Sequence, residues 1–519
     1  MKHQLVSVIF ILIFKTTQSE SLNCIHRDYG KGGTVCVCNA TYCDTIKPLK
    51  PFPPRQYYMF TSTKDGLRFN MTKRNFGGKL KNKGVLITVN TNVTYQKILG
   101  FGGAMTDSAA IMIMSLSEAA REKLMLSYFS EIGTEYTFLR VPIAGTDFST
   151  RRYTYNDEEF DIALKNFHLV EEDFKYKIPL IKYAIKLSRK GVKLLGAAWT
   201  APPWMKTNKN YNGIGFLREE YYRPWSNYHI RFLEAYNNCG LSFWGLSTGN
   251  EPINGFIPFF KFNCMGWTPS GQRNWVADHL GPALENSEFN KTLLLALDDQ
   301  RFQLPWWLDI MFGDPKTEAY ISGVAVHWYT DHLVPELVLD KTHNSYPNKF
   351  ILPTEACFVK KFWQKNVVKL GSWSRGEQYA ENIIGDINHW SSGWIDWNLA
   401  LDEDGGPNWA KNFADAAIII NATQDEFYKQ PMYYAIGHFS KFIPEGSVRI
   451  KVQVQGTEVK VLGVRTPAEQ VVLVILNKKH KDVPVSISGA PRGYANFVVP
   501  SKSITTLIYR DKKIPIWCI

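Results

Sequence analysis

The sequence predicts an α/β fold: a parallel (β/α)8, or TIM, barrel with an attached antiparallel β-sandwich-like domain and a small disulfide-bearing N-terminal β segment. Three observations predict it. Between residues 97 and 400 eight short apolar runs alternate with longer, often amphipathic stretches. From residue 448 apolar and polar residues alternate, with short turns between the runs. Four of the eight cysteines crowd between residues 24 and 43.

The elements follow in chain order. Residues 1–20 carry a basic Lys2, an apolar stretch from Leu5 to Phe14 and a polar small-residue segment, the pattern of a secretory signal peptide. No later run reaches the roughly 18 apolar residues of a membrane span, so the mature chain is expected to be lumenal. In that compartment the sequons at Asn39, Asn70, Asn92, Asn290 and Asn421 become usable for glycosylation. Residues 21–50 hold Cys24, Cys36, Cys38 and Cys43 without the paired Cys-x-x-Cys spacing of a zinc ribbon, so disulfides are expected. We favour Cys24 with Cys36 and Cys38 with Cys43; the sequence alone leaves three connectivities open. Cys239, Cys264, Cys357 and Cys518 are scattered and read as free buried thiols.

Residues 47–56, KPLKPFPPRQ, form a proline-rich connector that excludes helix. Residues 51–95 and 432–519 are assigned to the β domain and 96–431 to the barrel. The barrel strands are read at 97–105, 138–144, 193–200, 243–251, 292–299, 323–330, 350–357 and 393–400. Stretches such as IPLIKYAIKLSRKG and YHIRFLEAYNNCG repeat apolar residues at helical spacing and end on a basic residue or glycine. The tail strands are VRIKVQVQGTEVKVLGV, QVVLVILNKK, VPVSISG and SITTLIYR, with GVLITVN at 84–90 completing the sheet.

Composition narrows the function. The net charge of +12 comes without a Lys/Arg block or nucleic-acid motif, so it fits an anionic membrane surface or plain solvation. Sixteen tryptophans suit sugar faces or core filling. Glu251 ends the fourth apolar run and Glu355 the seventh, and the carboxyl ends of barrel strands carry active sites. Pro252 is expected to push Glu251 out of the helical region and end its strand. Two facing carboxylates are what glycoside hydrolysis needs, with a gap of about 5 Å for retention and about 6.5–9.5 Å for inversion.

The stretches FGGAMTDSAA, LRVPIAGTDFS, WTAPPWMKTN, GNEP, LDDQR, VAVHWYTD, TEAC, GSWSRGEQY and DWNLALDEDGGPNW resemble, in order, glycoside hydrolase family 30. The resemblance runs from CVCNATYC at 36–43 almost to the carboxyl terminus. It implies a retaining hydrolase of glucosylceramide, yielding glucose and ceramide in the lysosome. It implies no metal or organic cofactor, and a saposin-like activator with anionic lipid as stimulants. Carried over by position, Glu251 is the acid/base, Glu355 the nucleophile, and Asn250 the partner of the sugar 2-hydroxyl. Asp147, Trp199, Trp397 and Asn412 hold the other hydroxyls and the ring, and Arg140, His327 and Tyr329 orient the carboxylates. The stretch INGFIPFFKFNC at 253–264 departs from the family pattern and borders the entrance.

Plainer readings stand beside these. Arg140 is a structural ion-pair partner, His327 a satisfied strand-end histidine, and Trp397 lid packing. Asp298 and Asp299 close a strand, and Cys357 is a bystander. As whole functions, the same mechanism on another β-glucoside or a β-xyloside, transglucosylation onto a sterol, and a silent glycolipid binder are the alternatives. Both glutamates are present, which argues against the last.

Overall fold

A computed structural model of the chain describes residues 22–48, 53, 55–77, 79–80, 84–361, 364–489 and 493–511. The signal segment and Cys518 lie outside the described residues.

Eight strands, one from each expected run, form a parallel sheet: Gly100–Ala104, Phe138–Ile143, Lys193–Ala198, Gly245–Ser247, Leu293–Gln300, Ile321–His327, Phe350–Glu355 and Gly393–Asn398. Each pairs with its neighbour in sequence, and the eighth pairs with the first. Between seventh and eighth, Ser392 N–H donates to Ile351 O at 2.8 Å and Trp397 N–H to Ala356 O at 2.9 Å, which closes the barrel. The strands are buried on both faces, so they read as apolar runs rather than alternating ones. Phe138, Leu195, Leu295, Ala325, Leu352 and Ile395 fill the interior. Side chains two residues further on the same face reach the carboxyl mouth, among them Arg140, His327 and Trp397.

Simple alternation does not aim every mouth residue. Register slips by one residue between Leu297 and Asp299 in the fifth strand and at Thr354 in the seventh, where Val326 faces Pro353 but His327 faces Glu355. Each bulge inserts a residue and resets which side chain points inward, as bulges beside active sites do. This is how Asp298 and Glu355 both face the mouth.

The helix Ile178–Leu187 forms as expected, while the next begins at Tyr222 rather than Tyr228 and runs to Asn238. Its earlier start comes from Tyr222 and Trp225, which extend the buried face by two turns, and Gly240, at φ 76°, follows its end.

The β domain is a nine-stranded sheet from Gln56–Thr63, Asn70–Asn75, Val85–Lys97 and the six strands between Val448 and Arg510. Its ends meet, the Tyr57 and Phe497 rings lying 6.2 Å apart and Gly77 N–H donating to Tyr494 O, so the sheet folds over its own core like a sandwich. One expectation is corrected. Val483–Ser488 runs parallel to Val85–Lys97, because it reaches that strand from the far side rather than through a hairpin. The strands Gln56–Thr63, Asn70–Asn75 and Ala495–Val499 were not among those expected; Gln56–Thr63 is buried almost throughout and shows no alternation.

The cysteine segment does not stand alone. Its strands His26–Asp28 and Thr34–Asn39 join Glu426–Lys429, Ile418–Asn421 and Ala400–Asp402 in one sheet beside the last barrel loop. Cys24 bonds Cys36 and Cys38 bonds Cys43. Cys264 and Cys357 are buried thiols, but Cys239 is only half-buried, because it caps a helix end at the surface. Asn70, Asn92 and Asn290 are exposed, and Asn39 and Asn421 half-buried. Among the described residues no helix is long and apolar enough to cross a membrane.

Candidate active site

The chain leaves the short fourth strand through Thr248 and Gly249 and turns sharply at Glu251, whose φ of 44° and ψ of 63° are left-handed. The extended conformation expected before Pro252 is therefore not adopted. A non-glycine residue there costs about 1–2 kcal/mol, and local hydrogen bonds hold it in place. Thr248 N–H donates to Leu295 O, Asn250 N–H to Ala198 O and Glu251 N–H to Asp298 O, all between 2.9 and 3.0 Å. Strain retained at such a point indicates a side chain that must be aimed.

That side chain faces Glu355. One oxygen of Glu251, one of Glu355 and a ring nitrogen of His327 lie within 4.8 Å of one another. Glu251 receives Gln300 Nε2 at 2.9 Å and His327 Nδ1 at 3.0 Å on Oε1, and Asn254 Nδ2 at 2.6 Å on Oε2. Glu355 receives the Tyr329 hydroxyl at 2.7 Å on Oε1 and the Arg140 guanidinium on Oε2. Although this trio has the spacing of metal ligands, both His327 nitrogens already face carboxylates and Glu355 is paired with a cation, so the donor set is closed.

Arg140 is fully buried and also donates to Asn250 Oδ1 and Asp298 Oδ2, both at 2.8 Å. Its guanidinium lies 4.9 Å from the Trp199 ring and 5.3 Å from Trp397, and those two rings stack at 5.0 Å. Burial opposes a charge on His327, but Glu355, Asp298 and Glu251 push its pKa up to about 10, so it is an imidazolium. Burial likewise raises the Glu355 carboxyl against the pull of His327 and Arg140, with Glu251 raising it further.

Asp147, Trp199, Glu251, Tyr329, Glu355, Trp397 and Asn412 line one cavity of about 310 Å³, with Asn250, Arg140 and His327 directly behind. Asp147 Oδ2 accepts from Asn412 Nδ2 at 3.0 Å and Asn408 Nδ2 at 3.3 Å. Cys357 meets only the Tyr329 hydroxyl at the site, at 3.4 Å, and burial holds its thiol protonated. The sequence reading did not single out Asn254, Gln300, Thr354 or Asn408. Asn254 and Gln300 follow Glu251 and Asp299 at the ends of the same elements, which was the available signal. Asp298 is no mere strand end: besides Arg140 it meets His327 Nε2 at 3.1 Å and the Thr354 hydroxyl at 2.6 Å.

A parallel barrel with two carboxylates this close at the ends of its fourth and seventh strands, beside a tryptophan-walled cavity, defines a retaining glycosidase. The chain belongs to glycosyl hydrolase family 30: residues 98–443 match the family's TIM-barrel domain and 446–507 its β sandwich domain. It is 43% identical to the lysosomal acid glucosylceramidase of Mus musculus, over 94% of this chain and 95% of that one. It is 39% identical to the putative glucosylceramidase 4 of Caenorhabditis elegans, over 97% of this chain and 99% of that one. Among solved structures, SrfJ from Salmonella typhimurium superposes with a TM-score of 0.81 at 27% identity, covering 88% of this chain and all of SrfJ.

The same burial predicts a pH response of the fold. It raises Asp147, Asp299 and Asp331 to about 7 and Asp396 to about 8; Glu251 helps raise Asp299, Arg301 opposes at Asp331, and hydrogen bonds from Asn412 and Tyr379 oppose at Asp147 and Asp396. A carboxyl raised on folding binds its proton more tightly in the native state, so stability grows as pH falls through these values. His327, raised to about 10, adds to the trend; Lys206, lowered by burial to about 8, opposes it only near that pH. His229 and His438, lowered by burial to about 4 and 3, oppose it only below their ordinary 6.5. The thermal midpoint should therefore be higher at pH 6.5 than at pH 8; a lower midpoint at pH 6.5 would contradict these assignments.

Proposed function

We propose that the chain hydrolyses the β-glucosidic bond of glucosylceramide to glucose and ceramide by double displacement, in the lysosomal lumen, while adsorbed to an anionic membrane surface. The observation that carries this reading is the approach of Glu251 and Glu355 to within 4.8 Å, which suits direct attack and leaves no room for an intervening water. Glu355 attacks the anomeric carbon while Glu251 protonates the departing oxygen, and Glu251 then deprotonates the water that releases glucose. Asn250 has its oxygen taken by Arg140, which leaves its amide nitrogen for the 2-hydroxyl. Asp147, Trp199, Trp397 and Asn412 hold the rest of the sugar. The glucosylceramidase relatives in mouse and worm support the substrate, and the lysosomal address follows the mouse relative.

Phe256, Ile257 and Phe259 stand exposed on the turn after Glu251, Phe259 at 95%, and Phe260 and Phe262 just beyond them line the cavity. Phe302 and Leu333 are exposed on the two following loops. This apolar rim, with a net charge of +12, suits insertion into an anionic bilayer and presentation of lipid by a saposin-like activator. Phe259→Ser is expected to weaken binding to phosphatidylserine vesicles, and salt to weaken wild-type binding. Vesicle binding unmoved by either would count against the rim.

The reading is tested by trapping with a 2-deoxy-2-fluoro glucoside. The label should fall on the peptide holding Glu355, and glucosylceramide should be cleaved in preference to a β-xyloside. Label on another residue, preference for the xyloside, or net transfer to a sterol in place of hydrolysis would overturn it.

A further inference from the structure

We infer that Gln300 reads the leaving group: its side-chain carbonyl is the acceptor for an N–H or O–H that the aglycone carries within two carbons of the scissile oxygen. The inference rests on the proposed role of Glu251 as acid.

Gln300 closes the fifth strand and lines the cavity. Its Nε2 donates to Glu251 Oε1 at 2.9 Å, which fixes the orientation of the amide, because the reverse would set a carbonyl oxygen against a carboxylate oxygen. The Gln300 oxygen is therefore turned away from Glu251. The residue is only 7% exposed, yet among the described residues no group donates to that oxygen. Buried acceptors are seldom left unpaired, and one beside a cavity marks a place kept for a ligand's donor.

The side of the cavity identifies the ligand group. Asp147, Trp199, Trp397 and Asn412 form the wall assigned to the sugar, whereas Gln300, Asn254, Phe260 and Thr330 lie on the wall of Glu251. The aglycone departs on the side of the acid, so an acceptor bonded to the acid's own amide neighbour faces the atoms next to the scissile oxygen. Ceramide carries an amide N–H on the second carbon and a hydroxyl on the third. A simple alkyl chain carries neither. One amide thus orients the acid with its nitrogen and selects the lipid base with its oxygen.

The test uses the full chain in mixed micelles, with glucosylceramide and octyl β-glucoside as substrates. Both leaving groups are alkoxides that need the acid, so losing the contact to Glu251 should slow both alike. For Gln300→Met, kcat/KM on glucosylceramide should fall about tenfold further than on octyl glucoside, the size expected of one hydrogen bond; equal losses would overturn the inference alone. Wild-type enzyme provides a check independent of how the variant folds. Of the amide-N-methyl and 3-O-methyl analogues of glucosylceramide, at least one should lose about tenfold in kcat/KM against the parent. Undiminished turnover of both would overturn the inference. A wild type active on octyl glucoside but inert to glucosylceramide would overturn the substrate reading and this inference with it.

Discussion

Glu355→Gln is expected to abolish turnover of every β-glucoside, while Glu251→Gln still forms a glucosyl-enzyme from an activated aryl glucoside. The asymmetry follows from what each carboxyl supplies. An amide at 355 has no charge with which to attack the anomeric carbon, and no leaving group compensates for a missing nucleophile. An amide at 251 removes only the proton delivered to the departing oxygen. That proton is worth about 10²–10⁴-fold for an alkoxide leaving group, and little for a phenolate that departs unaided. Rapid mixing with a dinitrophenyl glucoside should therefore give a burst of phenolate with Glu251→Gln, followed by slow turnover because water lacks its base. Added azide, which needs no base, should accelerate that slow step and yield a β-glucosyl azide. Glu355→Gln should give neither burst nor product. A burst with Glu355→Gln and none with Glu251→Gln would exchange the two roles, and none with either would remove double displacement from consideration.

The parts of this arrangement that were legible in the sequence share one property: they depend on local pattern. Strands buried on both faces must be apolar throughout, so all eight runs stood out, and a glutamate ending such a run is conspicuous at 251 and again at 355. What stayed hidden depends on pairing across long separations. No local signal reports that Thr34–Asn39 lies beside Glu426–Lys429, or that Val483–Ser488 runs parallel to Val85–Lys97. Nor does one report the bulges that turn Asp298 and Glu355 to the mouth, since those are set by the neighbouring strand's register. At Glu251 a local rule misled. The restriction before proline favours an extended residue, and the hydrogen bond from Glu251 N–H to Asp298 O outweighs it. Where such a preference yields, the tertiary structure is aiming a functional side chain.

Neighbouring aspartates should answer the same substitution in opposite ways. Asp298→Asn is expected to cost about 3–5 kcal/mol of stability, the range for breaking a buried ion pair, and to remove most activity; Asp299→Asn should cost far less at pH 5. Asp298 is completely buried, and burial alone would raise its pKa, but Arg140 and His327 hold it well below the ordinary carboxylate range. Its pKa is depressed on folding, so its stabilisation is fully present above the unfolded value and is lost only as pH falls through the folded one. The wild type keeps it throughout the range from pH 4 to 8. Asparagine leaves Arg140 and His327 short of one anion, and with less charge to oppose burial the imidazolium of His327 should titrate well below its present value of about 10. Residual activity of Asp298→Asn should then fall as pH rises through that new value, a limb the wild type has no reason to show from His327 at pH 5 to 8. Asp299 differs because burial, reinforced by Glu251, raises it to about 7, so at pH 5 it is already neutral. An amide in its place changes little charge and can still accept from Ile253 N–H and Gln300 N–H, which now meet its carboxyl at 3.1 and 2.7 Å. Urea unfolding and kcat/KM across pH 4 to 8 for the two variants check the contrast. Equal stability of Asp298→Asn and wild type would mean that the Arg140 and His327 charges are balanced elsewhere, and the orienting network behind Glu251 and Glu355 would have to be redrawn without Asp298.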